Sequence, residues 1–198
     1  MDIGRRGFIA GAAACAACSG DDDEQTSSGV DDTAKTSAGE TTPNPIGPSR
    51  FRLGEVAELT EELASGDGRM YVPEGRMWLL PYPSLALDSA RDLYDEESLV
   101  GMEAGLLALS QKCTHLGCRV PDCATNGRFE CPCHGAIFNR VGEYVSGPQP
   151  RGLDRFPVSI EQGTAFVDLR VPVPGLDPGL STIEDDPTGP SCVGEATG

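Results

Sequence analysis

Both histidines of this 198-residue chain stand beside cysteines, in two short segments that also contain glycine or proline. The first segment, Cys113–Cys118, has the sequence CTHLGC, and the second, Cys131–Gly135, has the sequence CPCHG. Each segment supplies one Cys–His pair and one further cysteine. Thiolates and imidazoles are the ligands that bind zinc and iron–sulfur centres in proteins. The pattern therefore predicts a metal site, and two incidental histidines among buried cysteines are a much weaker explanation.

Two cysteines and two histidines could hold a zinc ion in tetrahedral geometry. Each segment, however, carries one cysteine more than such a site needs. A structural zinc module in an exported binding protein remains an alternative function. The colour of the purified protein separates a zinc site from an iron–sulfur centre, because an iron–sulfur protein is brown-red and a zinc protein is colourless.

The two segments, separated by twelve residues, resemble the cluster-binding motifs of the Rieske iron–sulfur proteins of quinol:cytochrome c reductase (cytochrome bc) complexes. The resemblance is very specific in the two segments and extends more loosely over Phe51–Val171. It includes Gly147–Pro150, whose sequence GPQP looks like the proline loop of that family. Rieske ferredoxins of aromatic-ring oxygenases typically lack the two extra cysteines. The resemblance is therefore to the cytochrome bc type, or to a relative such as the arsenite oxidase small subunit.

The resemblance implies one [2Fe–2S] cluster as the cofactor. The implied ligands are Cys113 and Cys131 through sulfur on one iron, and His115 and His134 through nitrogen on the other. Cys118 and Cys133 look like the disulfide that ties the two loops together. His115 and His134 are implied to contact quinol, with Leu116 as an apolar wall beside the exposed histidine edge.

The charge of such a site explains its redox behaviour. With two thiolates and two neutral imidazoles, an oxidised [2Fe–2S] centre has no net charge, whereas four thiolates make it an anion. A neutral site accepts an electron more readily, so histidine ligation raises the reduction potential to roughly −150 to +300 mV. Each ligand imidazole also keeps a second nitrogen that holds or releases a proton. We therefore expect electron and proton transfer to be coupled, as the oxidation of a hydroquinone requires.

Two positions depart from the high-potential members of the family. Those members carry Ser directly after the second motif and Tyr two residues later, and both hydroxyls donate hydrogen bonds to cluster sulfurs. Here the positions are Ala136 and Phe138, whose side chains donate nothing. Hydrogen bonds to the sulfurs are one determinant of the potential. Unless backbone donors compensate, we expect a potential in the lower part of the Rieske range, suited to a menaquinol-like donor.

The N-terminus has the features of a twin-arginine export signal. Arg5 and Arg6 precede the apolar stretch Gly7–Ala17, which as a helix would be about 16 Å long and too short to span a bilayer. The residues before Cys18, and those before Cys15, look like lipobox endings that lack the usual leucine. Lipidation at Cys18 would place the mature protein on a membrane surface, and simple cleavage or retention of the segment is the alternative.

The net charge of −16 argues against a nucleic-acid partner, because a phosphate backbone would repel such a surface. Two segments that are acidic and have little to bury carry much of that charge. We predict an export signal over 1–20, a disordered acidic linker over 21–48, a Rieske domain over 49–175 and a flexible acidic tail over 176–198.

Region 49–175 is predicted to be mostly β-structure, and the resemblance makes it an all-β Rieske domain. An antiparallel β-sandwich base would carry an inserted cluster-binding subdomain at about Gln111–Gly147. Gln162-Gly163 is a hairpin signal, and Leu85–Leu99 could be a helix or an irregular excursion. The predicted strands are Arg69–Val72, Met77–Leu80, Leu106–Ser110, Arg128–Glu130, Ala136–Phe138, Phe156–Ile160 and Ala165–Val171.

The expected function is electron transfer from a membrane quinol pool to a c-type cytochrome, as one subunit of an exported oxidoreductase with a cytochrome b-like partner. No catalytic nucleophile or substrate pocket is evident, so catalysis would belong to the complex. The alternative is an electron-transfer subunit of another exported oxidase, such as an arsenite oxidase. The expected location is the outer face of the cytoplasmic membrane or the periplasm, where disulfides persist. Cys123 and Cys192 could form a second disulfide, which the sequence leaves open.

Overall fold

The computed structural model describes residues 50–194 of the chain. The predicted export signal over 1–20, with Cys18, and the predicted linker over 21–48 lie outside these residues. Among the residues described, no helix is long and apolar enough to cross a membrane.

The described part of the chain forms short strands with helices between them. The strands are β1 (Arg50–Glu55), β2 (Met70–Val72), β3 (Met77–Pro81), β4 (Leu106–Ser110), β5 (Phe129–Glu130), β6 (Ile137–Phe138), β7 (Tyr144–Ser146), β8 (Arg155–Phe156), β9 (Val158–Glu161) and β10 (Thr164–Asp168). The helices are α1 (Val56–Ser65), a 3₁₀ turn (Ser84–Ala86), α2 (Leu87–Leu93) and α3 (Glu96–Glu103).

Three antiparallel sheets organise these strands. One base sheet has the order β1-β10-β9 and the other the order β2-β3-β4-β8. The third sheet, β5-β6-β7, comes from the chain between β4 and β8 and is therefore an insertion into the second base sheet. The prediction of an all-β fold, with an antiparallel base and an inserted subdomain, is confirmed.

The central strands β3 and β4 are buried on both faces, which explains their continuous apolar sequences. On one face Met77 and Leu79 join Val158 and Val167 of the other base sheet in a shared core. On the opposite face the alternate residues of β3 and β4 form a second core with the inserted subdomain. That second core contains Trp78, Leu80, Leu107, Leu109, Phe129, Phe138 and the two cysteines Cys113 and Cys131.

Most predicted strands are present, with ends that move by a few residues. The hairpin at Gln162-Gly163 joins β9 to β10, and both residues have the positive φ values, +49° and +86°, that a tight two-residue turn requires. The predicted strand Phe156–Ile160 is split between β8 and β9. Leu85–Leu99 folds into the 3₁₀ turn, α2 and the start of α3. Strands β1 and β7 were not predicted, and charged residues interrupt the sequence of the first, RFRLGE.

The acidic C-terminal segment is bound to the domain as far as residue 194, contrary to the prediction of a flexible tail over 176–198. We call residues 177–194 the C-terminal strap. Asp185 accepts a hydrogen bond from Arg128 at 3.0 Å, and Cys192 forms a disulfide with Cys123. The Pro- and Gly-rich acidic composition is typical of disorder, but here a covalent bond and buried polar partners on the domain fix the segment.

The buried carboxylate of Glu143 is the main polar anchor of this strap. Its side chain is completely buried, and it accepts hydrogen bonds from Ser181 Oγ at 2.7 Å and from Thr182 N and Oγ1 at 3.0 and 2.6 Å. Tyr94 Oη and Asn139 Nδ2 donate to the same carboxylate at 3.0 and 2.9 Å. These donors give both oxygens hydrogen-bond partners, and the buried guanidinium of Arg155 lies 4.0 Å from Oε1, so the polar atoms of this side chain are satisfied in the interior.

Replacing Glu143 with Gln should destabilise the domain strongly. The new amide group would face donors only, so at least one buried donor would lose its acceptor, at a cost of about 2–4 kcal/mol. Denaturant unfolding, followed by intrinsic fluorescence, measures this loss. The matched control is Glu184→Gln in the exposed part of the strap, which should change the unfolding free energy by less than about 0.5 kcal/mol. Equal stability of the two variants would contradict the anchoring role.

Candidate metal centre

The first cysteine–histidine segment forms a tight loop, Cys113–Cys118, which we call loop 1. The backbone N–H of Cys113 donates to the carbonyl of Cys118 at 2.8 Å, and Gly117 N–H donates to the carbonyl of Cys113 at 2.9 Å. Gly117 has φ +83°, a left-handed conformation that glycine adopts without steric cost. The loop therefore turns sharply around the thiol of its first residue.

The second segment, Cys131–Ala136 or loop 2, repeats this hydrogen-bond pattern. Cys131 N–H donates to the carbonyl of Ala136 at 2.8 Å, and Gly135 N–H donates to the carbonyl of Cys131 at 3.1 Å. Gly135, with φ +70°, is left-handed like its counterpart Gly117 in loop 1. Two loops of the same backbone design thus each place one cysteine at their inner end and one histidine near their tip.

The two loops are covalently joined. Cys118, the last residue of loop 1, forms a disulfide with Cys133 of loop 2, and their Cα atoms are 6.6 Å apart. This is the pairing that the family resemblance implies. The Cys131 thiol lies within 4.8 Å of both disulfide sulfurs, so the cross-link passes directly beside the inner end of loop 2.

The other two cysteines of loops 1 and 2 are the only free cysteines in residues 50–194, since Cys123 and Cys192 are joined to each other. Cys113 and Cys131 are both buried, at 3% and 1% exposure. The pKa of the Cys113 thiol is raised to about 11, chiefly by burial and also by the neighbouring Cys131 thiol within hydrogen-bonding range, while the backbone amides of His115 and Leu116 oppose the rise. A bound metal ion converts cysteine thiols in such a site to thiolates.

The two histidine rings lie side by side at the outer ends of the loops. Their centroids are 4.8 Å apart and the rings are nearly perpendicular, at 84°. Nδ1 of His115 is buried and has no hydrogen-bond partner among the described residues, although its ring is only half-buried. His134 is exposed. A buried nitrogen without a donor or acceptor is an unpaired polar atom that a metal ligand bond would satisfy.

These side chains fit a cluster with mixed cysteine and histidine ligands. The structure places the four sequence-predicted ligands in two adjacent loops, with the sulfurs inside and the imidazoles towards solvent. The sulfurs of the other two cysteines in the loops are already used by their disulfide. The donor set available for a metal centre is therefore two thiols and two imidazoles.

Comparison with known proteins agrees with this geometry. Residues 86–157 match the family model described as the Rieske [2Fe-2S] domain. Residues 86–157 therefore form a Rieske [2Fe–2S] domain. One [2Fe–2S] cluster is the cofactor of this domain.

The similar curated proteins are iron-sulfur subunits of cytochrome b6-f complexes. The subunit of Chlorobaculum thiosulfatiphilum is 34% identical over 122 residues, which cover 62% of this chain and 59% of that protein. The subunit of Chlorobaculum tepidum is 40% identical over 75 residues, which cover 38% and 41%. The subunit of Synechococcus sp. WH7803 is 33% identical over 94 residues, which cover 46% and 53%. The chain spans about half the length of these relatives.

Two solved structures are also similar. The plasma membrane Rieske protein of Synechocystis PCC 6803 is 25% identical, with a TM-score of 0.38, and the match covers 59% of this chain and 97% of that one. The soluble domain of Rieske protein II from Sulfolobus acidocaldarius is 19% identical, with a TM-score of 0.41, and the match covers 73% and 92%.

The predicted quinol-contacting residue Leu116 and the predicted potential-tuning residues differ in their exposure to solvent. Leu116, beside the histidines, is 71% exposed, so an apolar side chain stands at the outer surface. Ala136, the last residue of loop 2, and Phe138 of β6 are by contrast completely buried. Neither buried side chain carries a hydroxyl, so any hydrogen bond from these positions must come from the backbone.

Three side-chain hydrogen bonds that sequence analysis did not find hold the predicted proline loop, Gly147–Pro150, and the residue that follows it. Gln149 is buried, and its Nε2 donates to the carbonyls of Ile137 and Ser146 at 3.1 and 2.9 Å. Thr114 Oγ1 of loop 1 donates to the carbonyl of Arg151 at 2.8 Å. The bonds to Ile137 and Arg151 join side chains to backbone that is distant in the sequence, and no local sequence signal marks them.

Gly147→Ala should displace the proline loop from loop 2. A Cβ at this position would lie 2.7 Å from Ala136 Cα and 2.9 Å from the carbonyl oxygen of Gly135, which is backbone and cannot swing away. We expect a loss of about 2–4 kcal/mol in unfolding free energy, the sum of left-handed strain and overpacking. Denaturant unfolding and the iron content per chain measure the effect.

The matched control is Gly179→Ala. Gly179 also has a left-handed φ, +91°, but nothing lies within 4 Å of its added Cβ. This variant should lose only about 1–2 kcal/mol and keep its iron. A Gly147 variant that behaves like the control would show that the proline loop is not held against loop 2.

Proposed function

We propose that this protein transfers electrons through its [2Fe–2S] cluster from a quinol to a c-type cytochrome, as the iron–sulfur subunit of a cytochrome bc-type complex. One observation carries the proposal. Two buried thiols and two outward histidines lie in a pair of disulfide-linked loops within a Rieske domain. The similar curated proteins, named as iron-sulfur subunits of cytochrome b6-f complexes, support the bc-type assignment.

In this proposal Cys113, Cys131, His115 and His134 hold the cluster, which supplies one-electron chemistry when bound. The buried cysteines bind from the core side, where Trp78 and Phe129 exclude water from the same cluster of side chains. The histidines bind from the solvent side. Cys118–Cys133 keeps the two loops together, so that ligands from both remain at fixed separation.

The histidine edge is the proposed site of quinol oxidation. His134 is exposed and His115 half-buried, so an imidazole nitrogen can accept a hydrogen bond from a quinol hydroxyl and then its proton. The exposed side chain of Leu116 offers the apolar contact that a quinone ring prefers. A menaquinol-like donor is proposed because the side chains of Ala136 and Phe138 cannot donate hydrogen bonds to the cluster sulfurs. The reduction potential of the cluster should therefore be in the lower part of the Rieske range, which suits such a donor.

We further propose that the protein is exported by the twin-arginine route and works at the outer face of the cytoplasmic membrane or in the periplasm. The Cys118–Cys133 and Cys123–Cys192 disulfides support an oxidising compartment. Lipidation at Cys18 is the proposed membrane attachment. A cytochrome b-like subunit and a c-type cytochrome are the proposed partners.

An EPR-monitored redox titration of the folded domain, repeated at several pH values, tests the proposal. A low-g rhombic signal should appear on reduction, with a midpoint potential that falls as rising pH removes an imidazole proton. Cys113→Ser and His134→Gln should each abolish this signal. A colourless protein that contains zinc would remove electron transfer from the account.

The control for these ligand variants is the double variant Cys123→Ser/Cys192→Ser. It removes two cysteines that are paired with each other in the strap, and it should keep the signal and the iron content. Loss of the cluster in this control, with retention in Cys113→Ser, would overturn the ligand assignment.

Ala136→Ser should raise the midpoint potential of the cluster. A new hydroxyl hydrogen bond to a cluster sulfur, worth about 1–1.5 kcal/mol, corresponds to about 40–60 mV for a one-electron couple. The control Ala124→Ser, at an exposed position of the same subdomain, should leave the potential unchanged. An unchanged potential in Ala136→Ser would mean that the backbone already satisfies the sulfur.

A further inference from the structure

Three cations in the described part of the chain lack the acidic partner that every other cation there has. Residues 50–194 contain twelve lysine and arginine side chains. Nine of them lie within 4.0 Å of a carboxylate. The three others are Arg76, Lys112 and Arg119. In a chain with 31 acidic and 15 basic residues, carboxylates are abundant, so the isolation of these three needs a reason.

The three cations line one cleft, of about 470 Å³. We call it the basic cleft. Its lining includes Ser110, Gln111 and Gly117 and contains no carboxylate. Three separate segments of the chain therefore converge to form a positive site, although the molecule as a whole is negative.

The basic cleft is part of the framework of loop 1. Lys112 and Arg119 form an antiparallel bridge at the two ends of the loop, one residue outside Cys113 and Cys118. The Lys112 side chain lies along the loop, with its Cε only 3.0 Å from where a Cβ of Gly117 would be. The two cationic residues thus flank loop 1, which carries two of the four proposed cluster ligands.

Arg119 makes a further contact through its side chain, and Arg76 makes one through its backbone. The Arg119 guanidinium lies over the Tyr71 ring, 4.8 Å from its centroid. Arg76 adopts a left-handed φ of +47°, which is unusual for a long side chain, and its carbonyl accepts a hydrogen bond from Gln111 N–H at 3.1 Å. Arg76 thus lies in the turn between β2 and β3 and lines the cleft.

We propose that the basic cleft is the docking surface for an acidic patch on the protein that exchanges electrons with the cluster. Carboxylates of the partner would pair with Arg76, Lys112 and Arg119, and so bring its redox centre beside loop 1. At physiological salt, charges more than about 8 Å away are largely screened, so the local cations outweigh the negative charge of the rest of the molecule. The inference rests on the proposed electron-transfer function and specifies the partner's surface.

Electron transfer to two probe acceptors tests this docking surface. The full chain, reduced with dithionite, is mixed in stopped flow with a soluble acidic c-type cytochrome or with a soluble basic one, at several ionic strengths. The triple variant Arg76→Gln/Lys112→Gln/Arg119→Gln should lower the ratio of the acidic to the basic rate constant about tenfold at low salt. It should also flatten the decline of the acidic rate with salt.

The matched control is Arg52→Gln/Arg91→Gln/Arg170→Gln. It removes the same charge from exposed cations that are paired with carboxylates elsewhere. Its rate ratio should stay within about twofold of the wild-type value. Since both cytochromes oxidise the same cluster, any change in its potential affects both rates and largely cancels in the ratio.

Two single variants keep the test valid if the triple variant is unstable. Arg119→Lys keeps the charge and should keep the ratio. Arg76→Gly removes the charge at a left-handed position that glycine tolerates, so it should lower the ratio without lowering the unfolding midpoint.

The contrary outcomes are distinguishable. Equal rate ratios in the cleft and control variants would overturn the docking surface alone. So would a faster reaction with the acidic cytochrome after the cleft is neutralised, which would mean that acidic residues of the chain itself occupy the cleft. Failure of the reduced cluster to transfer electrons to either cytochrome would overturn the proposed function, and the docking surface with it.

Discussion

The structure depends on the burial of β3 and β4 on both faces. One face of this strand pair packs against the second base sheet through Met77 and Leu79, and the other packs against the cluster-binding insertion through Trp78 and Leu80. Because side chains alternate along a strand, one short apolar sequence serves both cores. Trp78 also donates from Nε1 to the carbonyl of Val120 at 3.1 Å, which ties the insertion to the base.

The sequence predicts the parts of this structure that have local causes. The two Cys–His segments, the alternation of strands with turns and the hairpin at Gln162-Gly163 are each determined by neighbouring residues. The C-terminal strap was predicted wrongly, because its acidic composition is shared with disordered tails. Its order comes from Cys123 and Glu143, which lie far away in the sequence and give no sign of their partners.

The contacts of the site also fall into two classes, those with local causes and those that depend on residues distant in the sequence. The motif spacing predicted which loops carry the metal-binding side chains, because the turns of both loops are built from their own backbone. The spacing did not predict the hydrogen bonds of Gln149 to Ile137 and of Thr114 to Arg151, since these acceptors are carbonyl groups that only the tertiary fold brings near. The basic cleft belongs to this second class, because its cations come from the β2–β3 turn and from both ends of loop 1.

The strap explains how a small insertion can hold its loops in one position. Glu130, next to Cys131, is almost completely buried, and its carboxylate accepts hydrogen bonds from Ser191 Oγ at 2.8 Å and from the backbone N–H of Cys192 at 2.6 Å. Burial alone would raise the pKa of Glu130, but these hydrogen bonds, with that from Asn126, lower it below its ordinary value. The carboxylate therefore stays ionised and holds the strap across the back of the insertion. The insertion is therefore held both by the base, through Trp78, and by the strap, through Glu130. Preorganisation of this kind lowers the structural change that accompanies electron transfer.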